Sequence, residues 1–380
     1  AECESKEARL APLPIQYADY AAWQREYLAG DELQKQLDYW RSNLSDAPAI
    51  LELPTDHPRP AVQSYRGELS SRKLPTELLT HLHQLSNEQG TTLFMTMLAA
   101  FNIMLSRYSG QDDVVVGTPV AGRPHSELES LIGFFLNTLP IRSKLGHNPS
   151  FRQLLEELRQ TTLNAYANQD LPFDQIVEDL QPVRDMSIAP VFQTVFTLQT
   201  VAAEQTVYGN VNVSDVEIDY GTAKFDITWS VMEKAGELSV QCEYASDLFD
   251  ETTIQRMLEH YQLLLQDIVS QPSTTINQLA MLSTGEQRQL RAWNSTAVAF
   301  PQEQSLHALF EEQALINPTL TAVESNGSKL SYQELNERAN GLAAQLIELG
   351  AGPNQPVAIC VNRSLDTLVG LLGILKSGSG

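Results

Sequence analysis

Apolar and polar residues alternate along the chain in two different periods, which predict helices interleaved with strands. Residues 91–108 are apolar on nearly every side of a helix, which is typical of a helix buried on most sides. Strict alternation at 225–231 and 238–244 predicts two strands joined by a hairpin turn at 233–236. A long amphipathic helix is predicted from Asp250. Together these elements predict an α/β fold in which helices cover a mixed sheet.

The stretch Ile132–Arg142 predicts an apolar strand that carries one amide and one arginine. Side chains alternate along an extended chain, so Asn137 shares a face with Phe135 and Leu139. A buried amide must find hydrogen-bond partners, or its burial is costly. The spacing leaves two interpretations open, with the first favoured: Asn137 pins a neighbouring loop, or it lines a channel that crosses the sheet.

The pattern changes in the last hundred residues, where a second folded unit is predicted. Residues 281–304 predict a linker that contains a short helix. Ser331 and Glu334 form a capping box at the start of a later helix, and 356–361 has a strand-like pattern. We therefore expect residues 305–380 to be the start of a second α/β domain.

Composition narrows the range of partners. The chain has 47 acidic and 25 basic residues, and its formal net charge of −22 disfavours nucleic acid and anionic membrane surfaces as partners. The longest apolar run, 368–375, is too short to span a bilayer. The three cysteines lie far apart and the first residues show no signal-peptide pattern, so we expect a cytoplasmic location.

The residues alone show no complete catalytic constellation. A phosphate loop, a G-x-S-x-G elbow and an H-E-x-x-H motif are all absent from the sequence. His81 and His83 are two apart on a predicted helix and cannot chelate one metal, so no metal site is expected. Four other histidines are isolated and beside no obvious nucleophile: His125, His147, His260 and His307.

Four segments, in order, resemble the motifs of the condensation domains of nonribosomal peptide synthetases. They are residues 17–24 (similar to YxDYAxWQ), 132–142 (IGxFxNTLPxR), 168–174 (HQDxPFE, with Asn168 in place of histidine) and 184–193 (RDxSxxPxFQ). The resemblance covers residues 1–280. It implies an acetyltransferase-like mixed-sheet sandwich lobe that forms an amide bond between carrier-bound acyl and aminoacyl thioesters.

The rest of the chain, 305–380, resembles the beginning of an adenylation domain. Residues 330–335 are similar to the LTYxEL motif, and 375–378 to the front of LKAGxAYVP. Condensation followed by adenylation is the order of an elongation module. For a complete adenylation domain the resemblance implies ATP and Mg, whereas no cofactor is expected on this fragment.

One motif of the family, HHxxxDG, is not found in this sequence and would lie upstream of Tyr17. We therefore expect a fragment with both ends cut, no catalytic residue in this chain, and no activity when it is isolated. We also expect an exposed apolar face where the catalytic lobe would pack. The expected partners are peptidyl and aminoacyl carrier proteins, which carry phosphopantetheine, and neighbouring domains of the same synthetase.

The resemblance implies a tunnel between two lobes, and this bears on individual residues. Asn137 and Trp23 are candidates for the substrate channel, although a structural role remains open for both. Arg142 and the Arg184–Asp185 pair are expected to be structural, as ion pairs at the tunnel floor. The remaining motif positions are assigned to packing or loop support: Tyr20, Gly133, Phe173 and Gln193.

Two other functions remain open. The last residues alone would favour an ATP-dependent amino-acid-activating ligase. A degenerate lobe would instead serve as a non-catalytic platform for carrier proteins.

Overall fold

The computed structural model describes residues 12–182, 185–201, 207–208, 211–212, 220–300 and 302–380. The chain divides into two units, Ala1–Arg291 and Ala292–Gly380. Among the described residues, no helix is both long and apolar enough to cross a membrane.

The first unit is a mixed-sheet α/β structure, as predicted. Its helices are α1 (Tyr17–Tyr27), α2 (Gly30–Leu44), α3 (Thr76–Glu88), α4 (Leu93–Ser109), α5 (Phe151–Ala167), α6 (Phe173–Leu180), α7 (Glu251–Ser270) and α8 (Thr284–Trp293). Its strands are β1 (Gly67–Leu74), β2 (Asp113–Val120), β3 (Asn137–Lys144), β4 (Thr194–Val201), the short β5 (Val207–Tyr208) and β6 (Val211–Asn212), β7 (Ile227–Lys234) and β8 (Glu237–Ala245).

Six of these strands form one sheet in the order β1-β8-β7-β4-β2-β3. The β1/β8, β7/β8 and β2/β3 pairs are antiparallel, whereas β4 runs parallel to β2 and β7. Helix α4 contacts β2, β4, α5 and α7, and residues from Met95 to Leu105 are all buried. The all-round apolar pattern of this segment therefore reflects its position between other helices and the sheet.

The predicted hairpin joins β7 and β8. Ile227, Trp229 and Val231 are buried on β7, alternating with less buried residues, as period-two packing requires. Ala235 and Gly236, between the strands, both have positive φ, at 52° and 78°. Two positive φ values are the geometry of a tight two-residue hairpin turn.

The prediction of a strand across Ile132–Arg142 is wrong in its first half. The β2/β3 ladder ends at the Val120–Asn137 pair, and residues before Asn137 form a loop. Without a partner strand, these residues have no ladder to join, whatever their apolar pattern. In this loop Ile132 is 94% exposed and Phe134 78% exposed, so these two side chains lie at the surface, whereas Phe135 is buried.

The second unit contains α9 (Leu306–Ile316), a β9/β10 hairpin (Thr321–Ser325 and Ser328–Ser331), α10 (Tyr332–Glu348) and α11 (Leu365–Lys376). The Ser331–Glu334 capping box forms as predicted. The strand predicted at 356–361 is wrong, because this segment is irregular and pairs with no described strand. Its Val357 N–H donates instead to the Gly380 carbonyl.

Candidate functional site

A cavity of about 160 Å³ opens at the N-terminal end of β3. Its walls come from α1, the loop before β3 and the turn between α5 and α6. The lining, which defines what is called the Asn137 cavity from here on, includes Tyr17, Tyr20, Phe135, Asn137, Gln169 and Asp170. Aromatic rings and one carboxylate therefore meet at the end of an edge strand.

Asn137 holds the turn that follows α5. Its Nδ2 donates to the carbonyl oxygens of Gln169 and Leu171, both at 2.8 Å. Its Oδ1 accepts the backbone N–H groups of Thr138 and Phe173, at 2.9 and 3.0 Å. The amide thus satisfies both donor hydrogens and both acceptor lone pairs within the chain. It lines the cavity and pins a loop at the same time.

The aromatic wall of the cavity belongs to α1. Tyr20 is 9% exposed, and its ring centroid lies 4.9 Å from that of Phe135. Trp23 is 39% exposed, stacks on Tyr27 with 5.1 Å between centroids, and does not itself line the cavity. Its exposed face lies one helical turn from the cavity-lining Tyr20.

Gly133 lets the exposed loop approach α1. A Cβ at this position would lie 2.2 Å from Cδ2 of Tyr17, which is far inside van der Waals contact. The Tyr17 hydroxyl donates to the Phe134 carbonyl at 2.9 Å, one residue further along. Close approach therefore requires glycine here, and the hydrogen bond fixes the loop against the helix.

Asp170 is the charged residue in the cavity lining. Burial raises the pKa of its carboxyl, and the nearby charge of Glu32 raises it further, while interaction with Gln36 and with His125 opposes the shift. The Gln36 side chain is fully buried and is held by Glu32 and by the Leu171 N–H. The carboxylate therefore lies in a partly desolvated position.

Arg142, near the other end of β3, is surrounded by acceptors. Its side chain is 4% exposed. It binds both carboxylate oxygens of Asp113, at 2.9 and 2.6 Å, and also the Asp46 carboxylate and the Asn43 carbonyl, at 2.5 and 2.6 Å. These partners raise the pKa of Arg142. A surface groove of about 530 Å³ passes beside this residue, but four hydrogen bonds already engage the guanidinium.

The other motif positions contact the backbone. Gln193 is buried and spans the chain, because its Oε1 accepts the Leu51 N–H at 2.8 Å and its Nε2 donates to the Ala49 carbonyl at 3.2 Å. Phe173 begins α6, and its ring packs 5.1 Å from the Phe192 ring.

The predicted Arg184–Asp185 pair is only half visible, because Arg184 lies outside the described residues. Asp185 accepts the Ser187 N–H at 2.7 Å, and the hydrogen bonds to Ser187 lower its pKa. Asp185 thus stabilises a local turn.

The prediction that His260 is isolated is wrong. Its side chain is 6% exposed and lies between the Tyr108 hydroxyl, at 2.7 Å, and the Glu286 carboxylate, at 2.8 Å. These partners are distant in sequence, so local spacing gave no signal. Across the part of the chain that the structure describes, no three His, Cys, Asp or Glu residues are grouped so as to hold a metal ion.

A family model described as "Condensation domain" matches residues 3–291, and one described as "AMP-binding enzyme" matches residues 310–379. The chain belongs to the condensation-domain family. It also contains the start of an AMP-binding domain, in the order that the motifs predicted.

Known proteins of similar sequence and structure support this membership. One component of the linear gramicidin synthase of Brevibacillus parabrevis is 46% identical over 372 residues, which is 97% of this chain and 7% of that component. A holo four-domain nonribosomal peptide synthetase bound to AMP and glycine matches with a TM-score of 0.73 and 25% identity, over 92% of this chain and 28% of that one.

A third match is to the X-domain from teicoplanin biosynthesis in complex with OxyB. Its TM-score is 0.68 at 25% identity, over 74% of this chain and 64% of that one. The predicted acetyltransferase-like mixed-sheet lobe is thereby confirmed. The chain spans less than a tenth of the length of the gramicidin synthase component named above.

Within the condensation-domain unit, three of the four motifs converge on the Asn137 cavity. The motifs at 17–24, 132–142 and 168–174 supply α1, the loop before β3 and the turn after α5. Sequence reasoning placed Asp170 in a motif but gave it no role. The available signal was the position of Asp170 inside the 168–174 motif, directly before the apolar Leu171.

Proposed function

We propose that the chain is part of an elongation module of a nonribosomal peptide synthetase. Its first unit forms one wall of the channel where a carrier-bound acyl thioester and a carrier-bound aminoacyl thioester are joined by an amide bond. The observation that carries the proposal is the Asn137 cavity, built from three family motifs and opening beside exposed apolar side chains. Such a cavity can hold the polar reacting end of a substrate, while the apolar side chains beside it contact the rest of the substrate.

The described residues act in this proposal by positioning rather than by acid–base chemistry. Asn137 fixes the turn that carries Asp170, and Trp23 offers an exposed ring at the side of the channel. Holding two reactants in one geometry lowers the barrier of a bimolecular step substantially. We assign no catalytic residue within this chain.

Two cofactor classes belong to the proposed module. Phosphopantetheine would be carried by the partner carrier proteins, and ATP with Mg would serve a complete adenylation domain. In the second unit, Lys376 has a buried side chain, and its ammonium already contacts Glu311, Asn336 and Asn340. This lysine therefore has a structural role, and we assign no catalytic step to it.

The test uses the full-length synthetase with both flanking carriers loaded. Amide formation on the downstream carrier is measured by intact-protein mass spectrometry for the wild type, Trp23→Ala and Asn137→Ala. Both variants are expected to slow amide formation, and Tyr220→Ala, an exposed aromatic elsewhere, serves as the control and is expected to match the wild type. Loaded carriers that bind but never form an amide in the wild type would refute the proposal.

A second candidate function is a platform that binds proteins without forming the amide. It is favoured by one observation, the match to an X-domain solved in complex with OxyB. Binding of loaded carriers with no product would support the platform. An amino-acid-activating ligase is the weaker alternative, because the AMP-binding match covers only residues 310–379.

A further inference from the structure

Helix α2 places two polar side chains in the interior of the first unit. Its buried residues are Gln36, Trp40 and Leu44, of which Gln36 is fully buried and Trp40 is 1% exposed. Gln36 and Trp40 are four residues apart, so they lie next to each other on one face of the helix. Buried polar atoms normally have hydrogen-bond partners, and both side chains find theirs in the turn after α5, residues 168–172.

The two side chains bind the turn near both of its ends. The Trp40 indole N–H donates to the Asn168 carbonyl at 3.1 Å. The Gln36 Oε1 accepts the Leu171 N–H at 3.0 Å, and its Nε2 donates to the Glu32 carboxylate at 3.1 Å. An ionised carboxylate only accepts hydrogen bonds, so Glu32 fixes which end of the Gln36 amide faces Leu171. Helix α2 therefore holds the turn with a donor and an acceptor in fixed positions.

Asn137 holds the same turn from strand β3. It binds the Gln169 and Leu171 carbonyls and the Phe173 N–H. Together with the two bonds from α2, five backbone groups of this short segment are bound by side chains from other elements. A surface turn can leave such groups to water, whereas here the fold itself fixes the conformation of the turn.

The turn contributes three residues to the lining of the Asn137 cavity, and neither Gln36 nor Trp40 lies in that lining. We infer that Gln36 and Trp40 are positioning residues for amide formation, which act on the wall of the channel through this turn. This inference rests on the proposed function. Neither residue contacts the reacting groups. They keep the wall in its binding conformation before a substrate arrives, which lowers the cost of binding.

A positioning role and a purely structural role have different kinetic consequences. If the turn loosens in a folded protein, only a fraction of the molecules has a binding-competent wall. The apparent dissociation constant then rises by the inverse of that fraction. Bound substrate selects the competent conformation, so kcat is kept. If a substitution only lowers the folded fraction, kcat per total protein falls and KM is kept.

The experiment uses the full-length synthetase with unmodified carriers and without ATP, so that only soluble thioesters react. The substrates are N-acetylcysteamine thioesters of the acyl and aminoacyl groups that mass spectrometry finds on the two flanking carriers of the loaded enzyme. Each thioester is varied in turn. For Gln36→Met, which keeps the length of the side chain but not its acceptor, the KM of at least one thioester is expected to rise about fivefold. The kcat should stay within about twofold of the wild type.

Gln193→Met is the matched control. Gln193 is also buried, and its Oε1 accepts a backbone N–H, that of Leu51, at 2.8 Å, but it lies outside the lining of the Asn137 cavity. This variant is expected to lose thermal stability, as Gln36→Met does, and to leave both KM values unchanged. Trp40→Phe, which removes the indole N–H and keeps a ring, should raise the KM of the same thioester about twofold.

Hydrogen exchange without substrate tests the turn itself. Measured by mass spectrometry, peptides that cover residues 168–173 should exchange faster in Gln36→Met than in the wild type. Their exchange should be unchanged in Gln193→Met. Equal exchange in Gln36→Met and the wild type would show that α2 does not hold the turn, and would overturn the inference.

The kinetic outcomes separate this inference from the proposed function. If the wild type forms the amide, unchanged KM values for both thioesters in Gln36→Met would overturn the positioning role and leave the proposed function standing. A lower kcat at unchanged KM would do the same, because it indicates a smaller folded fraction. A wild type that binds both thioesters and forms no amide would reject the proposed function, and this inference with it.

Discussion

The two ends of strand β3 carry polar side chains in opposite conditions. At Arg142 the guanidinium is buried and meets Asp113, Asp46 and a carbonyl in four hydrogen bonds. At the Asn137 end, Asn137, Asp170 and Tyr20 line a cavity of about 160 Å³. One end of the strand holds a buried ion-pair network, and the other lies at the wall of a cavity. Both Arg142 and Asn137 make four hydrogen bonds, so what differs between the two ends is the neighbouring cavity.

The largest expected effect on stability comes from replacing Arg142. Arg142→Met should lower the free energy of unfolding by about 3 kcal/mol or more, because it leaves the Asp113 carboxylate without its partner. Urea denaturation of the variant measures this loss. The double variant Arg142→Met/Asp113→Asn should recover part of it. A loss below about 1 kcal/mol in the single variant would place Arg142 among weakly contributing surface ion pairs.

The second prediction tests whether Asn137 stabilises the fold, as Arg142 does, or serves only as a polar group in the cavity wall. Asn137→Ala should lower the free energy of unfolding by about 2 kcal/mol, because it leaves backbone groups of the 169–173 turn unpaired. Asn137→Asp keeps a polar side chain but places an oxygen against the Gln169 and Leu171 carbonyls, so it should be no more stable than alanine. If Asn137→Asp is as stable as the wild type, the hydrogen bonds from Asn137 to the 169–173 turn do not stabilise the fold. A polar side chain at this position would then be sufficient.

Replacing Asp170 is expected to change the free energy of unfolding in the opposite direction to replacing Arg142. Asp170→Asn should change the free energy of unfolding by less than about 0.5 kcal/mol at neutral pH and should not lower it. Burial raises the folded-state pKa of Asp170 above its ordinary value, so the ionised form disfavours folding. Wild-type stability relative to the variant should therefore rise as the pH falls through that raised pKa. Thermal unfolding across pH 4–7 checks this, and a clearly less stable variant at pH 7 would contradict it.

The smallest expected effect on stability comes from replacing Asp46, the exposed ion-pair partner of Arg142. Hydrogen bonds from Arg142 and then Lys144 lower the pKa of Asp46 to about 2. A carboxylate with a lowered folded-state pKa stabilises the fold above its ordinary pKa, and that contribution is lost as the pH falls from about 4 towards 2. Asp46→Asn should flatten this part of the acid-unfolding curve. Identical curves would show that Asp113 alone neutralises Arg142.

The sequence predicted those elements whose evidence is local. Helix α4, the β7–β8 hairpin and the Ser331 capping box each depend on residues within one or two turns of each other. The start of β3 was predicted too early in the sequence. It is set by the residue at which β2 ends, and the apolar pattern of Ile132–Leu136 does not indicate that residue.

The candidate site was harder to predict for the same reason. The motifs identified Asn137, Trp23 and their neighbours, but the partners of Asn137 lie in the turn after α5. The His260 contacts join three helices that are distant in the chain. Only the fold shows which groups these polar side chains contact.

The pairing of β1 with β8 also governs how this chain is made. Gly67 pairs with Ala245, and within the described sheet β1 has no other neighbour. A ribosome adding about 5–20 residues per second needs on the order of ten seconds or more between these two segments. During that time β8 has not yet been made, so the edge strand β1 lacks its neighbour in the sheet.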